Sequence, residues 1–561
     1  MNKRILKNTR EDFILKYRAA IKSKISKEQL AEYLDMQPKS LMRRRLELKD
    51  VYGLDLPYLH SDKSSFDNVA DQYFEVLESL SEKILKIESV NDIETKTKID
   101  IQKNKTYIIT SAQNATPIHH DFFKSLVKYT EYNHAQLIVI PYRYKNPTSV
   151  WSIHDKSDDW WDTNIKPYLL TEELKVSDHL RIMGHIKIQP TAVSPLSGFD
   201  TIADMDSAIF GHPRVEWKTV PSVIGKMPKI LATTGSITQQ NYSDSKIGHK
   251  GALHHKFGAA IVQVDEDGFF HIRHIEADKS GSFQDLDKIY TKNYVIENQT
   301  VLALYAGDTH AEVADDTVKQ VTYLNKDSIA ETLKPSYMIF GDLFDAQQRS
   351  HHVRKNEIGQ FVKHFFDEGD NVEEGLQQAV DYLDDVSKPF AENVVLASNH
   401  IDHLSRWLNE ADPKIDPENA RLYYYLKYHQ YVYAQNKKHF EPLQFWSEYP
   451  DQYEGMKNDQ TLFLSRNQSF ELANVELSLH GDVGSNGAKG SSIGFSKLGQ
   501  KIIVGHSHTP SIVGNAYTVG TSSRFDLSYV KGPSSWLHTH AILYPSGAIT
   551  LINIINGKWK L

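Results

Sequence analysis

Short apolar runs that end in polar loops recur along the chain from about residue 104 onward. The segment KTYIITSAQNATPIHHDFFKSLVKYT has an apolar run, a polar loop and an amphipathic stretch, and AQLIVIPYRY (135–144) supplies a second apolar run. Such runs predict strands, and the amphipathic stretch between them predicts a helix. AAIVQVDEDGFFHIRHI (259–275) predicts a β-hairpin around Asp267-Gly268. The alternation predicts an α/β accessory domain over 104–295.

The first 60 residues have the apolar spacing of helices. In SKEQLAEYLDMQPKSLMRRRLEL (26–48) apolar residues recur at helical intervals, and Pro38 lies just inside a second helix. Two short helices joined by a tight turn are similar to a helix-turn-helix, and we expect Arg43, Arg44 and Arg45 of the second helix to contact DNA. The alternative is a small helical bundle with solvated arginines. Residues 61–103 predict a helical linker with a charged amphipathic stretch at 69–98.

Five apolar runs in the second half of the chain each stop at residues that can bind a metal. Because the strands of one sheet bring their ends to a common edge, we expect these residues to converge. The five ends carry, in chain order, Asp308-Thr309-His310, Gly341-Asp342 with Asp345, Asn399-His400, His480, and His506 with His508.

The last of these runs, IIVGHSHTP (502–510), places two histidines one residue apart. Side chains one residue apart on an extended chain point the same way, so His506 and His508 are expected to face one spot. The chain has 26 histidines, and two ordinary exposed histidines would satisfy the same spacing. The pair indicates a metal site only together with the residues at the other four strand ends.

The amino-acid composition limits the kinds of functional site that the chain can form. The chain has no cysteine, which excludes disulfides, thiolate zinc sites and cysteine nucleophiles, so a metal must bind His, Asp, Glu or Asn. The net charge of −8 means that nucleic acid must be met by a local basic patch or by metal ions. No apolar run has the length of a membrane span, and the lysine-containing start MNKRILKNTREDFILKYRAA is not expected to be a signal peptide.

The ordered set D-x-H, GD-x-x-D, N-H, H and G-H-x-H resembles the calcineurin-like metallophosphoesterase family over about residues 300–545. GDLFD (341–345) is similar to the second motif of the DNA-repair exonuclease branch of that superfamily. The resemblance implies that residues 296–561 form a catalytic domain with a four-layer αββα sandwich. It also implies a phosphoesterase with two divalent metal ions, Mn²⁺ or Mg²⁺, which hold a phosphate and acidify water.

The family pattern assigns a role to each matching residue. One metal would be bound by Asp308, His310 and His508, the other by Asn399, His480 and His506, and Asp342 would bridge the two. His400 would protonate the leaving oxygen or stabilise the transition state, and Asp345 would orient a histidine. Arg349, just past the second motif, is expected to contact substrate phosphates.

This chain departs from the family pattern in two places. The third motif is Ser398-Asn399-His400-Ile401-Asp402, so its acid comes one residue late, which puts in doubt whether Asp402 supports His400. The fourth motif, LHGDVGSNGAKG, is rich in glycine, whose backbone amides could cradle a phosphate or whose role could be a tight turn alone.

The parts outside the catalytic half favour DNA as the substrate, since a helix-turn-helix candidate and a large extra domain would not be needed for a small nucleotide. The chain also resembles, in length and in its lysine- and asparagine-rich texture, the pre-early DNA-transfer proteins of T-five-type tailed bacteriophages. That resemblance implies a DNase that degrades host DNA in the bacterial cytoplasm, with phage or host protein partners. Two alternatives stay open: a phosphatase or small-nucleotide phosphodiesterase, and a DNA-binding or DNA-transfer assembly protein with a vestigial site. The large extra domain favours a homo-oligomer, although the sequence has no coiled-coil heptads.

Overall fold

The structure is a computed structural model that describes residues 10–52, 56–62, 66, 70–75, 105–146, 149, 160–223, 226–349, 358, 370–448, 461–527 and 532–560. Most of the amphipathic stretch predicted at 69–98 lies outside these residues, and residues 70–75 of it are helical. Among the described helices none has the length and apolar character needed to cross a membrane.

The described residues from 105 onward contain both helices and strands, and those from 10 to 75 contain helices alone; the chain as described has the predicted α/β class. The α-helices are α1 Arg10–Lys22, α2 Lys27–Tyr33, α3 Pro38–Tyr52, α4 His120–Tyr132, α5 Lys246–His254, α6 Asp316–Lys319, α7 Ile329–Leu333, α8 Val372–Val386, α9 Asn399–Glu410, α10 Ala420–Gln435, α11 Pro442–Glu448 and α12 Ser492–Phe495. Single turns of 3-10 or π-helix lie at Lys166–Tyr168, Ala311–Val313, Gln320–Leu324 and Ser485–Gly487.

The strands of the described residues form four sheets. In chain order they are β1 Lys105–Gln113, β2 Gln136–Tyr142, β3 Glu173–Ser177, β4 Leu180–Met183, β5 Ser207–Phe210, β6 Trp217–Val220, β7 Lys229–Thr233, β8 Gly258–Val264, β9 Phe270–Glu276, β10 Phe283–Asp285, β11 Lys288–Tyr290, β12 Val295–Ile296, β13 Ala303–Tyr305, β14 Tyr337–Phe340, β15 Glu392–Val395, β16 Thr461–Phe463, β17 Glu471–Leu472, β18 Val475–Glu476, β19 Lys501–Val504, β20 Ser511–Val513, β21 Ala516–Thr518, β22 Thr539–Leu543 and β23 Ile549–Asn553.

The sheets have the strand orders β2-β1-β8-β9, β10-β11-β12, β16-β15-β14-β13-β22-β23 and β17-β18-β19-β21-β20-β6-β7-β5-β4-β3. The predicted parallel pair β1 and β2, with α4 between them in sequence, is observed, and so is the antiparallel hairpin β8–β9. Gly268 lies in its turn with φ 85°, a conformation that glycine adopts without strain.

The six-stranded and ten-stranded sheets share one core. Along β13, Ala303 and Tyr305 belong to a core that also contains Val475 and Ile503 of the ten-stranded sheet. The residue between them, Leu304, belongs instead to a core with helices α8 and α9. This alternation follows from the period of two in a strand, and it places helices on one face of the six-stranded sheet and the second sheet on the other.

The ten-stranded sheet combines strands from both sides of residue 295. Its link is the antiparallel pair β20–β6, in which Ser511 lies opposite Lys218 and Ile512 opposite Trp217. Strands of the predicted accessory region thereby extend a sheet of the predicted catalytic region. The predicted boundary at 295/296 is therefore not a boundary of this sheet. Whether it separates two units of folding stays a prediction.

The N-terminal helices α1 to α3 pack around a small core of their own. Ser26 caps α2 by accepting a hydrogen bond from the N–H of Gln29 at 3.2 Å, while the Gln29 side chain accepts from the N–H of Ser26 at 3.0 Å. Pro38 begins α3, as predicted, where its missing N–H costs no hydrogen bond. Leu30 and Leu41 are buried between the helices.

Candidate metal centre

The carboxyl ends of β13 and β14 lie side by side and continue into two loops that hold each other. The strands are parallel, and beyond them the N–H of Thr309 donates to the carbonyl of Gly341 at 3.0 Å. One residue further, the N–H of His310 donates to the carbonyl of Asp342 at 2.7 Å. These backbone bonds fix the two loops so that Asp308, His310 and Asp342 converge.

A first group of potential ligands consists of Asp308, His310, Asp342 and His508, and all four are buried. Nε2 of His508 is 3.2 Å from Oδ2 of Asp308, and Nε2 of His310 is 3.7 Å from Oδ2 of Asp342. The two imidazoles face each other with their Nε2 atoms 3.0 Å apart. These ligand atoms lie within 4.8 Å of one another and could bind a divalent cation.

A second group consists of Asp342, His480 and His506. Nε2 of His480 lies 3.0 Å from Oδ2 of Asp342, and its Nδ1 lies 3.8 Å from Oδ1 of Asp308. Asp342 therefore belongs to both groups, which is the position expected of a bridging carboxylate.

A third group, His310, Asp345 and His400, lies beside the first. Nδ1 of His310 is 2.7 Å from Oδ1 of Asp345, and Nδ1 of His400 is 3.1 Å from the same oxygen and 2.6 Å from the Asp345 carbonyl. Asp345 thus orients two imidazoles through their Nδ1 atoms. The His400 side chain is 23% exposed whereas that of His310 is 0% exposed, so the cluster is open to solvent at His400.

Four of these side chains sit on left-handed backbone. The φ angles are 46° at His310, 45° at Asp342, 69° at His506 and 54° at His508. Non-glycine residues adopt this region at a cost of about 1–3 kcal/mol, and such residues cluster at functional sites. The expectation that His506 and His508 share a direction on an extended strand is wrong in its local geometry: β19 ends at Val504, and a left-handed turn sends the two imidazoles to different groups.

Two glycines make room for the carboxylates. A Cβ at Gly505 would lie 2.1 Å from Oδ1 of Asp308, and a Cβ at Gly341 would lie 3.0 Å from Nδ1 of His480 and 3.2 Å from Oδ1 of Asp308. Neither glycine has a positive φ, so the requirement is for space and not for backbone freedom. The G-D and G-H dipeptides of the sequence are explained by this close approach.

The donor atoms of the cluster fit a metal. Within the described residues, both carboxylate oxygens of Asp308, Oδ1 of Asp342, Oδ1 of Asn399 and both ring nitrogens of His480 are buried without a hydrogen bond of acceptable geometry. Buried polar atoms without partners are costly. Cations bound among them would satisfy the carboxylate and amide oxygens and one ring nitrogen of His480, whose other nitrogen carries a proton. Asn399 is the first residue of α9, whose N-cap Ser398 accepts from the N–H of Ile401 at 3.4 Å.

The pKa values in the cluster reflect burial opposed by nearby opposite charges. Burial lowers the pKa of His480, but the carboxylates of Asp342 and Asp308 outweigh it and raise the pKa to about 9. Burial likewise lowers the pKa of His400, and Asp342 and Asp345 raise it to about 10. Burial raises the pKa of Asp342, yet His480 and His400 hold it well below its usual range. A metal ion must therefore displace protons from imidazolium groups.

Three supporting residues were missed by the sequence reasoning. Glu312 accepts a 2.5 Å hydrogen bond from the N–H of Asp345, and burial together with the Asp345 charge raises its pKa to about 7. His540 accepts from the N–H of Gly307 at 2.8 Å, and burial lowers its pKa to about 3. The Trp536 ring lies 4.2 Å from the ring of His508. Glu312 follows His310 by two residues, and His540 lies on β22 beside β13; neither position has a distinctive local pattern.

The acid of the third motif, Asp402, pairs with Arg466 and not, among the described residues, with His400. Arg466 donates from Nε to Oδ2 of Asp402 at 2.9 Å and from a second nitrogen to Oδ2 of Asp482 at 2.8 Å. Arg466 therefore ties the third motif to the fourth.

The four arginines predicted to contact DNA have different surroundings. Arg349 donates to both carboxylate oxygens of Asp416, at 2.7 and 2.8 Å, and also to Asp370. Arg45 is buried and donates from Nε to the carbonyl of Leu56 at 2.5 Å. Arg44 lies over the ring of Phe13, and Arg43 is exposed. Their contact with DNA stays a prediction, for which Arg43 has the most accessible side chain.

Fold and site together define a mixed α/β protein with buried His/Asp groups that could bind a metal ion. Comparison with curated proteins then finds Protein A1 of Escherichia phage T5, 34% identical over 472 residues that cover 82% of this chain and 84% of the relative. The chain belongs to the family of that phage protein. No family model matches the chain. No solved structure matches it either.

Proposed function

We propose that this protein is a metal-dependent phosphodiesterase that degrades DNA. The observation that carries the proposal is the pair of buried ligand groups that share Asp342, with donor atoms that have no hydrogen-bond partner of good geometry among the described residues. Two divalent ions, when bound, supply positive charge for a phosphate and lower the pKa of water. The cluster fits the two-ion ligand set of the calcineurin-like metallophosphoesterases, with Mn²⁺ or Mg²⁺ as the ion and an αββα sandwich as the fold.

The proposed roles of the residues follow from their chemistry. Asp308, His310 and His508 would hold one ion, and Asn399, His480 and His506 the other. Neutral imidazoles and an amide complete the ion shells without adding negative charge that would repel a phosphate. Asp342 belongs to both ligand groups, and its negative charge would offset the mutual repulsion of two cations held there.

His400 is proposed to donate a proton to the leaving oxygen. Its Nδ1 is occupied by Asp345, its side chain is the part of the third group that reaches solvent, and its pKa is raised by Asp342 and Asp345 after burial has lowered it. A protonated imidazole at neutral pH is the form that a general acid needs.

DNA is proposed as the substrate because of the regions around the site. The helical N-terminal unit, proposed as a helix-turn-helix, exposes Arg43, and the ten-stranded sheet is built partly from residues before 295. The relationship to a phage protein supports a place of action in the bacterial host, whereas DNA as the substrate rests on the regions named above.

The test is incubation of the purified protein with linear and supercoiled plasmid in Mn²⁺, in Mg²⁺ and in EDTA. Degradation that needs the metal and is lost in Asp342→Ala, but kept in Asp178→Ala, supports the proposal; the Asp178 side chain is 79% exposed and serves as the matched control. Nicking of the supercoiled form separates endonuclease from exonuclease action. Intact DNA in every lane, with hydrolysis of bis-p-nitrophenyl phosphate, would reject DNA as the substrate.

A further inference from the structure

Helix α10 presents three tyrosines to solvent on one face. Tyr424, Tyr428 and Tyr431 are 58%, 64% and 64% exposed. Their spacing of four and three residues puts them on the same side of a helix. Leu422 and Leu426, on the opposite side, are buried in the core beneath the six-stranded sheet. The tyrosines are therefore not needed for the packing of α10.

The segment that carries this tyrosine face is basic. No Asp or Glu occurs between Glu418 and Glu441, although the chain as a whole has a net charge of −8. The segment between those two acids contains Arg421, Lys427, Lys437 and Lys438. Arg421 pairs with Glu373, but no described acidic side chain pairs with the three lysines.

The lysine closest to the tyrosines is held in position by neutral groups. Lys427 Nζ donates to the carbonyl of Leu408 at 2.9 Å and to Oε1 of Gln430 at 2.9 Å, and it lies 5.7 Å from the centre of the Tyr431 ring. Its charge is therefore not cancelled, and it stands beside an exposed aromatic ring. Lys437 and Lys438 are exposed just beyond the end of the helix.

This face is connected to the metal centre through α9. The N-terminal residues of α9 are Asn399 and His400, and its other end packs on α10, where the ring of Trp407 is 5.5 Å from that of Tyr423. A helix rises about 1.5 Å per residue, so the length from His400 to Leu408 is roughly 12 Å, or two to four nucleotides of an extended strand.

We infer that the Tyr424–Tyr428–Tyr431 face of α10 binds single-stranded nucleic acid, with bases stacked on the tyrosine rings and phosphates near Lys427, Lys437 and Lys438. Tyrosine rings next to uncompensated lysines are the two elements of sequence-tolerant single-strand binding. In a base-paired duplex the base faces are covered, so the face selects strands that are already unpaired. This inference rests on the proposed function, because it names the form of DNA that the metal centre receives.

The experiment measures binding of a fluorescein-labelled oligothymidylate by anisotropy in EDTA, so that cleavage plays no part. The variant with Tyr424→Ala, Tyr428→Ala and Tyr431→Ala is expected to bind at least about tenfold more weakly, since each stacked base contributes substantially to affinity. The corresponding triple Phe variant keeps the ring faces and is expected to bind like the wild type. Tyr294→Ala, which removes a tyrosine that is 59% exposed elsewhere, is the matched control.

A second measurement follows the salt dependence of binding. Lys437→Gln with Lys438→Gln is expected to reduce the slope of log affinity against log salt by about 1.4, at roughly 0.7 per phosphate contact on a single strand. Hydrolysis of bis-p-nitrophenyl phosphate is expected to be unchanged in the tyrosine and lysine variants, because none of these residues lies in the metal centre.

Equal binding by wild type and the triple Ala variant would overturn the inference, as would no binding by the wild type. A wild-type dimer that becomes monomeric in the triple Ala variant would also overturn it, since the face would then be a protein interface. A negative nuclease assay would reject the proposed function but not this inference, because that assay measures cleavage. Binding is decided by the anisotropy measured in EDTA.

Discussion

His310 and Asp345 are joined through Nδ1 of the imidazole and Oδ1 of the carboxylate at 2.7 Å, with both side chains fully buried. When Nδ1–H donates to Asp345, the lone pair of His310 stays on Nε2, which faces Asp342 and His508. The carboxylate thereby sets the tautomer as well as the angle of the ring. That lone pair faces the second imidazole across 3.0 Å, within a group of four buried side chains that could bind a cation.

Replacing Asp345 by Asn is expected to weaken metal binding or activity by about 10- to 100-fold, as loss of an orienting carboxylate does at other metal sites. The amide can present N–H to Nδ1 and so favour the wrong tautomer of His310. The measurement is a Mn²⁺ titration followed by calorimetry, with Asp267→Asn, an exposed turn residue, as the control. Unchanged affinity and unchanged turnover in Asp345→Asn would contradict the role given to this carboxylate.

Gly505→Ala is expected to abolish metal binding and to lower stability by about 1–3 kcal/mol, the range typical of overpacked sites. The added Cβ would fall 2.1 Å from Oδ1 of Asp308, a side chain that is fully buried and has no room to move. Gly494→Ala is the comparison, because its Cβ would meet only Ser491 Oγ at 3.1 Å. Thermal melts with and without Mn²⁺ distinguish the two variants, and a metal-dependent rise in melting temperature for Gly505→Ala would count against the steric argument.

The stability of the metal-free protein is expected to fall as the pH rises from about 7 to 10. The pKa of His480 is raised to about 9 and that of His400 to about 10, above the ordinary value of 6.5, so their ion pairs contribute fully below pH 6.5. That contribution is lost as the pH passes through the raised values. The stabilisation by added Mn²⁺ should instead increase with pH, since deprotonated imidazoles bind the ion better.

The check is a series of thermal melts in EDTA and in Mn²⁺ across this pH range. The stabilisation by Mn²⁺ is expected to grow with pH, and a stabilisation independent of pH would show that the two histidines do not compete for protons and metal. His480→Gln should flatten the EDTA series.

Arg45→Ala is expected to destabilise the N-terminal helical unit by about 1.5–3 kcal/mol, whereas Arg43→Ala is not. Arg45 is buried, donates to the Leu56 carbonyl at 2.5 Å and lies 3.7 Å from the centre of the Tyr58 ring. Arg43 is exposed, so its removal tests DNA affinity without unfolding. Circular dichroism melts measure stability, and binding of duplex DNA measures affinity. A lower melting temperature in Arg43→Ala would show that Arg43 also stabilises the fold, so that this variant could not test DNA contact alone.

The convergence of the strand ends could be predicted from sequence because each ligand directly follows an apolar run. Asp308 and Asp342 need only parallel neighbouring strands to meet, and β13 and β14 are such a pair. The left-handed turn at His506 and His508 could not be predicted, since neither residue type demands a positive φ. The difference between Arg43 and Arg45 is also invisible in three consecutive arginines, because it depends on where the chain at Leu56 returns to α3.

The support that Glu312 and His540 give to the cluster arises from contacts between distant parts of the chain. His540 reaches Gly307 only because β22 pairs with β13, and an isolated histidine on a strand carries no sign of such a partner. The pairing of β20 with β6 is hidden for the same reason: short apolar strands do not specify their neighbours.

The β6–β20 pair has a consequence for the order in which the chain is synthesised. During synthesis β6 leaves the ribosome early, and one of its edges stays unpaired until residues 511–513 have followed. Asp308 likewise precedes its partner across an isolated bridge, Thr521, by more than 200 residues. Pairings between such distant segments form slowly and late. A nascent chain that ends before residue 506 therefore has Asp308, His310 and Asp342 without His506 and His508, so these candidate ligands assemble only after the later segment has been synthesised.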